Sequence, residues 1–401
     1  MAKPLAIAIV LLSFLALLMV PINSCAASED SWATKAPMNQ ARSGLGVAVV
    51  NGKIYAIGGY NRLNSGIVGT NEEYDPATDK WTYKAAMPNP RTSFGIAVYQ
   101  NKIYCIGGET NGSLAASTNE VYNPASDTWE TKTPMPTARY GITANLAGGK
   151  IYLISGLVSP YLHSPIPLSN VNEVYDPNTD SWATKTSIPA EFYGYSSAVV
   201  NGKIYVLGGQ GTKESNLNQI YDTQTDKWSI AAPLPGQSYY AAAAAITGVL
   251  GLEKIYVLGG TGANPRYSNQ VYDPKNDSWT IGAQIPTDRI YLSVAAVDGR
   301  LYAVGGMQNS GVLYYVNPSK ANEQYTPAEL EVAITSSPLP SPTFSVTSSE
   351  NSTPTLAPSP SVPEFPAWIT LPIALAATLA ATLSFKRKKQ LQNGQAEREW
   401  G

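Results

Sequence analysis

The sequence predicts an all-β propeller of six four-stranded blades, and three observations carry that prediction. Asn51–Gly59 (N-G-K-I-Y-A-I-G-G) is rewritten five more times, in copies ending at Gly108, Gly156, Gly209, Gly260 and Gly306. The closing glycines lie 49, 48, 53, 51 and 46 residues apart, the period of an array, solenoid or propeller. A second column travels with the first: Tyr74-Asp75-Pro76 with Asp79 and Trp81, and its counterparts as far as Tyr272-Asp273-Pro274 with Asp277 and Trp279. Finally, Ser31–Met38 (S-W-A-T-K-A-P-M) has the pattern of a last strand but stands before any first strand.

Each element follows from residue chemistry. The I-Y-x-[IVL] run is β-branched, aromatic and aliphatic, as a buried strand requires. Asn-Gly before it supplies the positive φ angles of a tight hairpin turn. The glycines that close it (Gly58, Gly59, Gly107, Gly108, Gly156, Gly208, Gly209, Gly259, Gly260, Gly305 and Gly306) permit a backbone approach that a Cβ would block. The second column reads as a strand, an Asp-Pro turn and a strand bearing Trp81, Trp129, Trp182, Trp228 or Trp279. Four short strands and no helix per period make one propeller blade.

After Gly306 there is no matching Trp, only a weak Asn322–Tyr325 segment. The strand of Trp32 is therefore expected to complete the sixth blade, which joins the ends of the ring and removes its exposed edges. In the rival arrangement Glu323–Thr326 completes its own blade and the first segment is a spare edge.

The double glycine, the tyrosine and the tryptophan six or seven residues later resemble the kelch repeat, over roughly residues 30–327. The resemblance implies a six-bladed kelch propeller, assigned here to residues 28–327. It also brings in two enzyme types built on kelch propellers. The copper oxidase of the galactose-oxidase kind needs several histidines, and this chain has one, His163. The exported sialic-acid epimerase is similar at the level of fold only, which does not fix function.

Outside the repeats the composition changes. Residues 1–27 have a charged start, an apolar middle and a small-residue exit, the pattern of a secretory signal peptide. Cys25 raises a lipoprotein alternative, for which Asn23 is a poor fit. The other cysteine, Cys105, occupies a column of small apolar residues and is expected in the core. Residues 328–366, dense in Ser, Thr and Pro from Ser336 to Pro363, read as an extended stalk. Residues 367–385 are 19 uncharged, apolar positions, enough for one transmembrane helix. The basic tail 386–401 follows, which puts the tail in the cytoplasm and the propeller outside. Pro363-Glu364-Phe365-Pro366 before that span resembles the archaeal sorting signal read by archaeosortases, although Gln390–Gly401 extends beyond the basic cluster. A retained helix and a processed signal both put the propeller on the cell surface. Asn111-Gly112-Ser113, Asn276-Asp277-Ser278 and Asn351-Ser352-Thr353 are sequons in a chain expected to be exported.

The repeats serve as an internal control, since a residue present in nearly every blade is scaffold and one present in a single blade is a candidate for function. The Asp pairs and the Asn column (Asn71, Asn119, Asn172, Asn218 and Asn269, usually followed by Glu or Gln) fall on the scaffold side. The links between blades carry Arg42, Arg91, Arg139 and Arg289, replaced by Phe192 and Ser238 in the other two. Just after them come Tyr140, Tyr193, Tyr239, Tyr240 and Tyr291. Together they predict a tyrosine-rich, arginine-containing rim at the channel mouth, with the arginines shared between recognition of carboxylates and a scaffold role, bonding carbonyls between blades.

A net charge of −2 and a low charged fraction argue against nucleic acid. There is no G-x-S-x-G, phosphate loop or Cys-x-x-Cys, and neither a cofactor nor a metal is expected. Glu109, Glu191, Glu214 and Asp288 remain as carboxylates on the variable face. The expectation is a surface module that binds a glycan or a protein partner, in adhesion or envelope organisation. The alternatives are an exported carbohydrate-active enzyme, such as an epimerase or lyase, and a purely structural envelope component.

Overall fold

Each repeat folds into one antiparallel four-stranded sheet. In the computed structural model the described residues are 30–62, 66–112, 115–158, 167–249, 251–262, 269–308 and 317–330. All belong to one of two compact units, residues 1–339, and the second unit, 340–401, lies outside them. The first sheet runs Gly46–Val50, Lys53–Ile57, Asn71–Asp75 and Lys80–Lys84. Four further blades repeat this order, from Gly95, Ala144, Ser196 and Ala242 onward. The sixth takes Ser293–Val297, Arg300–Val304 and Asn322–Thr326 from the end of the array and Ser31–Thr34 from its start. Trp32 stands opposite Tyr325 as Trp81 stands opposite Tyr74, so the N-terminal strand closes the ring and Asn322–Thr326 is a third strand.

The core lies between blades. Ile54 and Tyr74 of the first blade pack with Tyr302 and Val304 of the sixth, and Tyr55 and Ile57 pack with Ile103 and Cys105 of the second. Cys105 is fully buried, as its column predicts, and burial pushes its thiol up to about 12. Each blade thus hides its apolar faces only against its neighbours.

A polar latch repeats at each junction. The indole N–H of Trp129 donates to Ala85 O at 2.8 Å in the preceding blade, and Asp127 Oδ1 accepts from Ala85 N at 2.8 Å. Asn71 Nδ2 donates to the same Ala85 O at 3.2 Å. At the closing junction Trp32 Nε1 donates to Ala283 O at 2.9 Å, and Asp30 Oδ2 accepts from Ala283 N at 3.2 Å. The first Asp of each pair caps its own turn, as expected; Asp75 Oδ1 accepts from Ala77 N at 2.9 Å. The second differs from that expectation, because Asp79, Asp127, Asp180, Asp226 and Asp277 reach across to the neighbouring blade's backbone.

Hairpin turns and the turns between third and fourth strands share one face of the ring, and the links between blades share the other. The chain enters and leaves on the turn face. Asp30 Oδ1 accepts from Ala328 N at 3.0 Å, and Leu330 packs beside Gly299 in the sixth blade's hairpin turn. The leader with Cys25, the stalk beyond Leu330, the apolar span and the tail lie outside the described residues, as do Tyr161, His163, Ser113 and the Asn351 sequon, whereas 328–330, expected in the stalk, pack on the propeller. Among the described residues no helix is long and apolar enough to cross a membrane.

Candidate functional site

Every link between blades turns through one residue of left-handed backbone before its first strand begins. These are Gly44, Ser93, Gly141, Gly194, Tyr240 and Tyr291, with φ of 60, 54, 64, 60, 58 and 54°. Their backbones bond head to tail: Ser93 N donates to Gly44 O at 2.9 Å, Gly141 N to Ser93 O at 2.9 Å and Gly194 N to Gly141 O at 3.1 Å. Tyr240 N donates to Gly194 O at 2.7 Å, Tyr291 N to Tyr240 O at 2.9 Å and Gly44 N to Tyr291 O at 2.8 Å, which closes the circle. The fold asks nothing of the side chain at this position, and three glycines satisfy it.

This ring surrounds the mouth of a cavity of about 920 Å³ on the channel axis. All six links line it, joined by residues from the loops after the double glycines, among them Tyr60 and Glu109. Its surface is uneven. At the turn of the link the first two blades contribute Ser43, Gly44, Thr92 and Ser93, whereas the other four contribute Tyr140, Tyr193, Tyr240 and Tyr291; Tyr60 and Tyr195 line the cavity from beside these turns. Tyr240 and Tyr291 stack with centroids 4.2 Å apart, and Tyr193 meets Tyr240 edge-on at 6.0 Å. Gln210 Oε1 accepts from Tyr193 Oη at 2.7 Å and from Tyr240 Oη at 3.2 Å, holding the pair. The Tyr240 ring lies over Gly194, where an added Cβ would sit 2.5 Å from Cδ1. Tyr239, also expected at the rim, stands behind Tyr240 with centroids 5.4 Å apart and is not among the lining residues.

The four arginines are not at the rim. Arg42, Arg91, Arg139 and Arg289 are fully buried, which corrects the arginine-containing mouth expected from the sequence. Each points outward into its own blade and satisfies carbonyls that the double-glycine bend leaves open. Arg139 Nη1 donates to Ser155 O at 2.8 Å and Val171 O at 3.0 Å, and Nη2 to Glu173 Oε2 at 2.7 Å. Arg42 pairs with Glu72, Arg91 with Glu120 and Arg289 with Glu323. Where Phe192 and Ser238 replace arginine, Gln219 and Gln270 replace the glutamate. Gln219 then bonds Ala190 through both amide atoms at 3.0 Å.

Of the loop carboxylates, Glu109 alone lines the cavity; Glu191 instead accepts from Thr212 Oγ1 at 3.1 Å. Burial raises the Glu109 carboxyl above the ordinary range. Its charge in turn raises the phenols of Tyr140 and Tyr291, although burial is the larger cause for both; Tyr291 reaches about 12. Among the described residues no group of three His, Cys, Asp or Glu is placed to hold a metal ion. Tyr240 and Tyr291 were expected at the rim, but their stacking and the part played by Gln210 were missed in the sequence, though aligning the links shows two tyrosines where the other blades have glycine or serine.

Comparison with known proteins bears on the fold and the repeat. The KLHDC2/KLHL20/DRC7 Kelch-repeats domain model matches residues 141–322, and the Kelch motif model matches 41–88 and 90–136. Kelch-like protein 15 of Danio rerio is 28% identical over 158 residues, 35% of this chain and 26% of that protein. Kelch repeat and BTB domain-containing protein 12 of Homo sapiens is 26% identical over 148 residues, 36% of this chain and 17% of that protein. The chain therefore spans about a quarter or less of the length of these curated relatives. The solved structure of YjhT superposes with a TM-score of 0.61 at 16% identity, covering 72% of this chain and 96% of that one. At that identity the likeness is one of fold. With both kelch models falling on the six blades described above, the blades are kelch repeats and the propeller fits the kelch β-propeller family.

Proposed function

We propose that the propeller is an exported, surface-held binding module that takes a glycan or a segment of a partner protein at the channel mouth. One observation carries this reading. Tyr240 and Tyr291 hold left-handed backbone, with φ of 58 and 54°, where Gly44, Gly141 and Gly194 make the same ring bonds without strain. A bulky residue there costs on the order of 1–3 kcal/mol, and such outliers gather where a ligand is met. The tyrosines around one cavity offer apolar faces and polar tips at low entropic cost.

The kelch relatives support a protein partner. Glu109 favours a second reading, a carbohydrate-active enzyme with this carboxyl as acid or base, because burial has already moved its pKa upward. An archaeosortase remains a proposed partner for the C-terminal segment.

The test is a glycan array, run alongside capture of cell-surface proteins, with the full chain in detergent and its Tyr193→Ala, Tyr240→Ala double variant. Specific binding lost in the double variant supports the mouth as the site. Binding that survives it places recognition elsewhere and overturns the reading. Turnover of a bound sugar that vanishes in Glu109→Gln would move the assignment to the enzyme.

A further inference from the structure

We infer that the mouth takes a cation, the side-chain ammonium of a lysine on a partner protein, seated between the Glu109 carboxylate and the rings of Tyr140 and Tyr291. The inference rests on the reading of the mouth as the binding site and supplies the chemistry of what enters it.

The sign of the site is the first observation. Among the described residues that line the cavity Glu109 is the one that carries a charge, and they include no lysine, arginine or histidine. The arginines that would have reversed that sign are turned into the blades, each held by its own glutamate. Among the described residues, a ligand offering a carboxylate would therefore meet one negative charge and no counter-ion. Water is partly excluded here, so the Coulomb energy of that encounter is several-fold larger than in bulk solvent.

The state of Glu109 is the second. The residue is half-buried, and among the described residues its carboxylate makes no hydrogen bond or ion pair. Its backbone, in contrast, is fixed by paired bonds to Thr92, with Glu109 N to Thr92 O and Thr92 N to Glu109 O both at 2.9 Å. A partly desolvated carboxylate held in place without a partner is costly, and a bound cation removes that cost.

The surroundings of Glu109 are the third. Its charge reaches Tyr140 and Tyr291, whose phenols stay protonated at neutral pH. Neutral phenols attract a cation through the ring quadrupole, and each hydroxyl oxygen accepts from an ammonium N–H. A lysine suits this set better than an arginine. Its compact ammonium spreads three donors over one carboxylate and two phenols, while a guanidinium fork is matched to a carboxylate that it can clasp bidentately.

The experiment is a calorimetric titration of the full chain in detergent with a blocked glycine-rich peptide carrying one central lysine. Its Nε-acetyl-lysine, arginine and glutamate counterparts are titrated in parallel. The lysine peptide is expected to bind at least tenfold more tightly than the acetylated and glutamate peptides. Glu109→Gln should lose at least tenfold, with its melting temperature measured to show that the fold is intact. Tyr291→Gly, which suits the left-handed backbone, should lose a similar factor. Equal binding of the lysine and acetyl-lysine peptides, tighter binding of the arginine peptide, or indifference to Glu109→Gln would each overturn the assignment. If a neutral or acidic ligand binds instead and is released by the Tyr193→Ala, Tyr240→Ala pair, the cation assignment falls and the mouth remains the site. If that pair releases nothing, both fall.

Discussion

Arg139 Nη2 donates to Glu173 Oε2 at 2.7 Å with both side chains out of solvent, and every link that lacks an arginine also lacks the glutamate. The chain thus contains its own double substitution, Phe192 with Gln219. Arg139→Ala leaves Glu173 buried and uncompensated, and should destabilise the propeller by about 3–5 kcal/mol. Arg139→Phe combined with Glu173→Gln reproduces the fourth blade's arrangement and should cost less than half as much. Chemical denaturation of the two variants decides the point. Equal losses would show that the contacts of arginine with Ser155 O and Val171 O, and not charge pairing, dominate.

The closing strand predicts a defect of assembly as well as of stability. Trp32→Ala removes the indole bond to Ala283 O and a ring contact with Tyr325 at 5.1 Å, a loss of about 2–3 kcal/mol for a partly buried aromatic. Deleting residues 30–34 goes further and leaves Asn322–Thr326 as an unpaired edge. Such an edge is a template for another chain. Size-exclusion chromatography should show association for the deletion and a monomer-like profile for Trp182→Ala, which weakens a junction inside the array. A deletion variant that elutes like the wild type would mean that the sixth blade needs no closing strand.

The architecture was legible in the sequence because each of its devices is a residue type at a fixed spacing. Double glycines and the Tyr–Asp–Trp column each recur in five of the six copies, Asn-Gly turns stand before two of them, and the orphan Trp32 segment marks the closure. The arginines were misread because a link residue says nothing of which way its side chain turns. The linked loss of Arg and Glu in two blades was the sign that they pair. The mouth was legible as a set of tyrosines and illegible as geometry. Glycine announces a left-handed backbone, whereas Tyr240 and Tyr291 adopt one only because the ring of backbone bonds imposes it on every blade.

Gly194 tests whether the position of Tyr240 matters. With φ of 60°, alanine here costs about 1 kcal/mol in backbone strain, and its Cβ would also stand 2.5 Å from the Tyr240 ring. Gly194→Ala should therefore displace Tyr240 from its contacts with Gln210 and Tyr291. Gly141→Ala has φ of 64° but meets nothing closer than 3.4 Å, so it carries the strain without the clash. Binding at the mouth should fall severalfold further in the first variant than in the second at similar loss of stability. Equal affinities would remove Tyr240 from the site.

Glu109 makes a prediction with a definite sign. Its carboxyl is raised in the folded protein by burial, while in the unfolded chain it titrates at about 4.3. Between those two values the folded state binds more protons, so stability falls as pH rises through them. Below both values Glu109 is neutral in either state and the penalty is absent. Glu109→Gln should accordingly raise the melting temperature at pH 7 and leave it unchanged near the ordinary carboxylate value. The latch aspartates act in the opposite direction, since Asp79 and Asp127 are lowered chiefly by the hydroxyls of Tyr74 and Tyr122. Both proteins share that acid loss, which cancels in the difference. Among the described residues the titratable groups that feel Glu109, Tyr140 and Tyr291, stay neutral across the range. A lysine-bearing ligand should add more to the melting temperature at pH 7 than near pH 4, because only the charged carboxylate rewards it. A variant no more stable than the wild type at pH 7 would mean that Glu109 is already compensated, and the case for a bound cation would go with it.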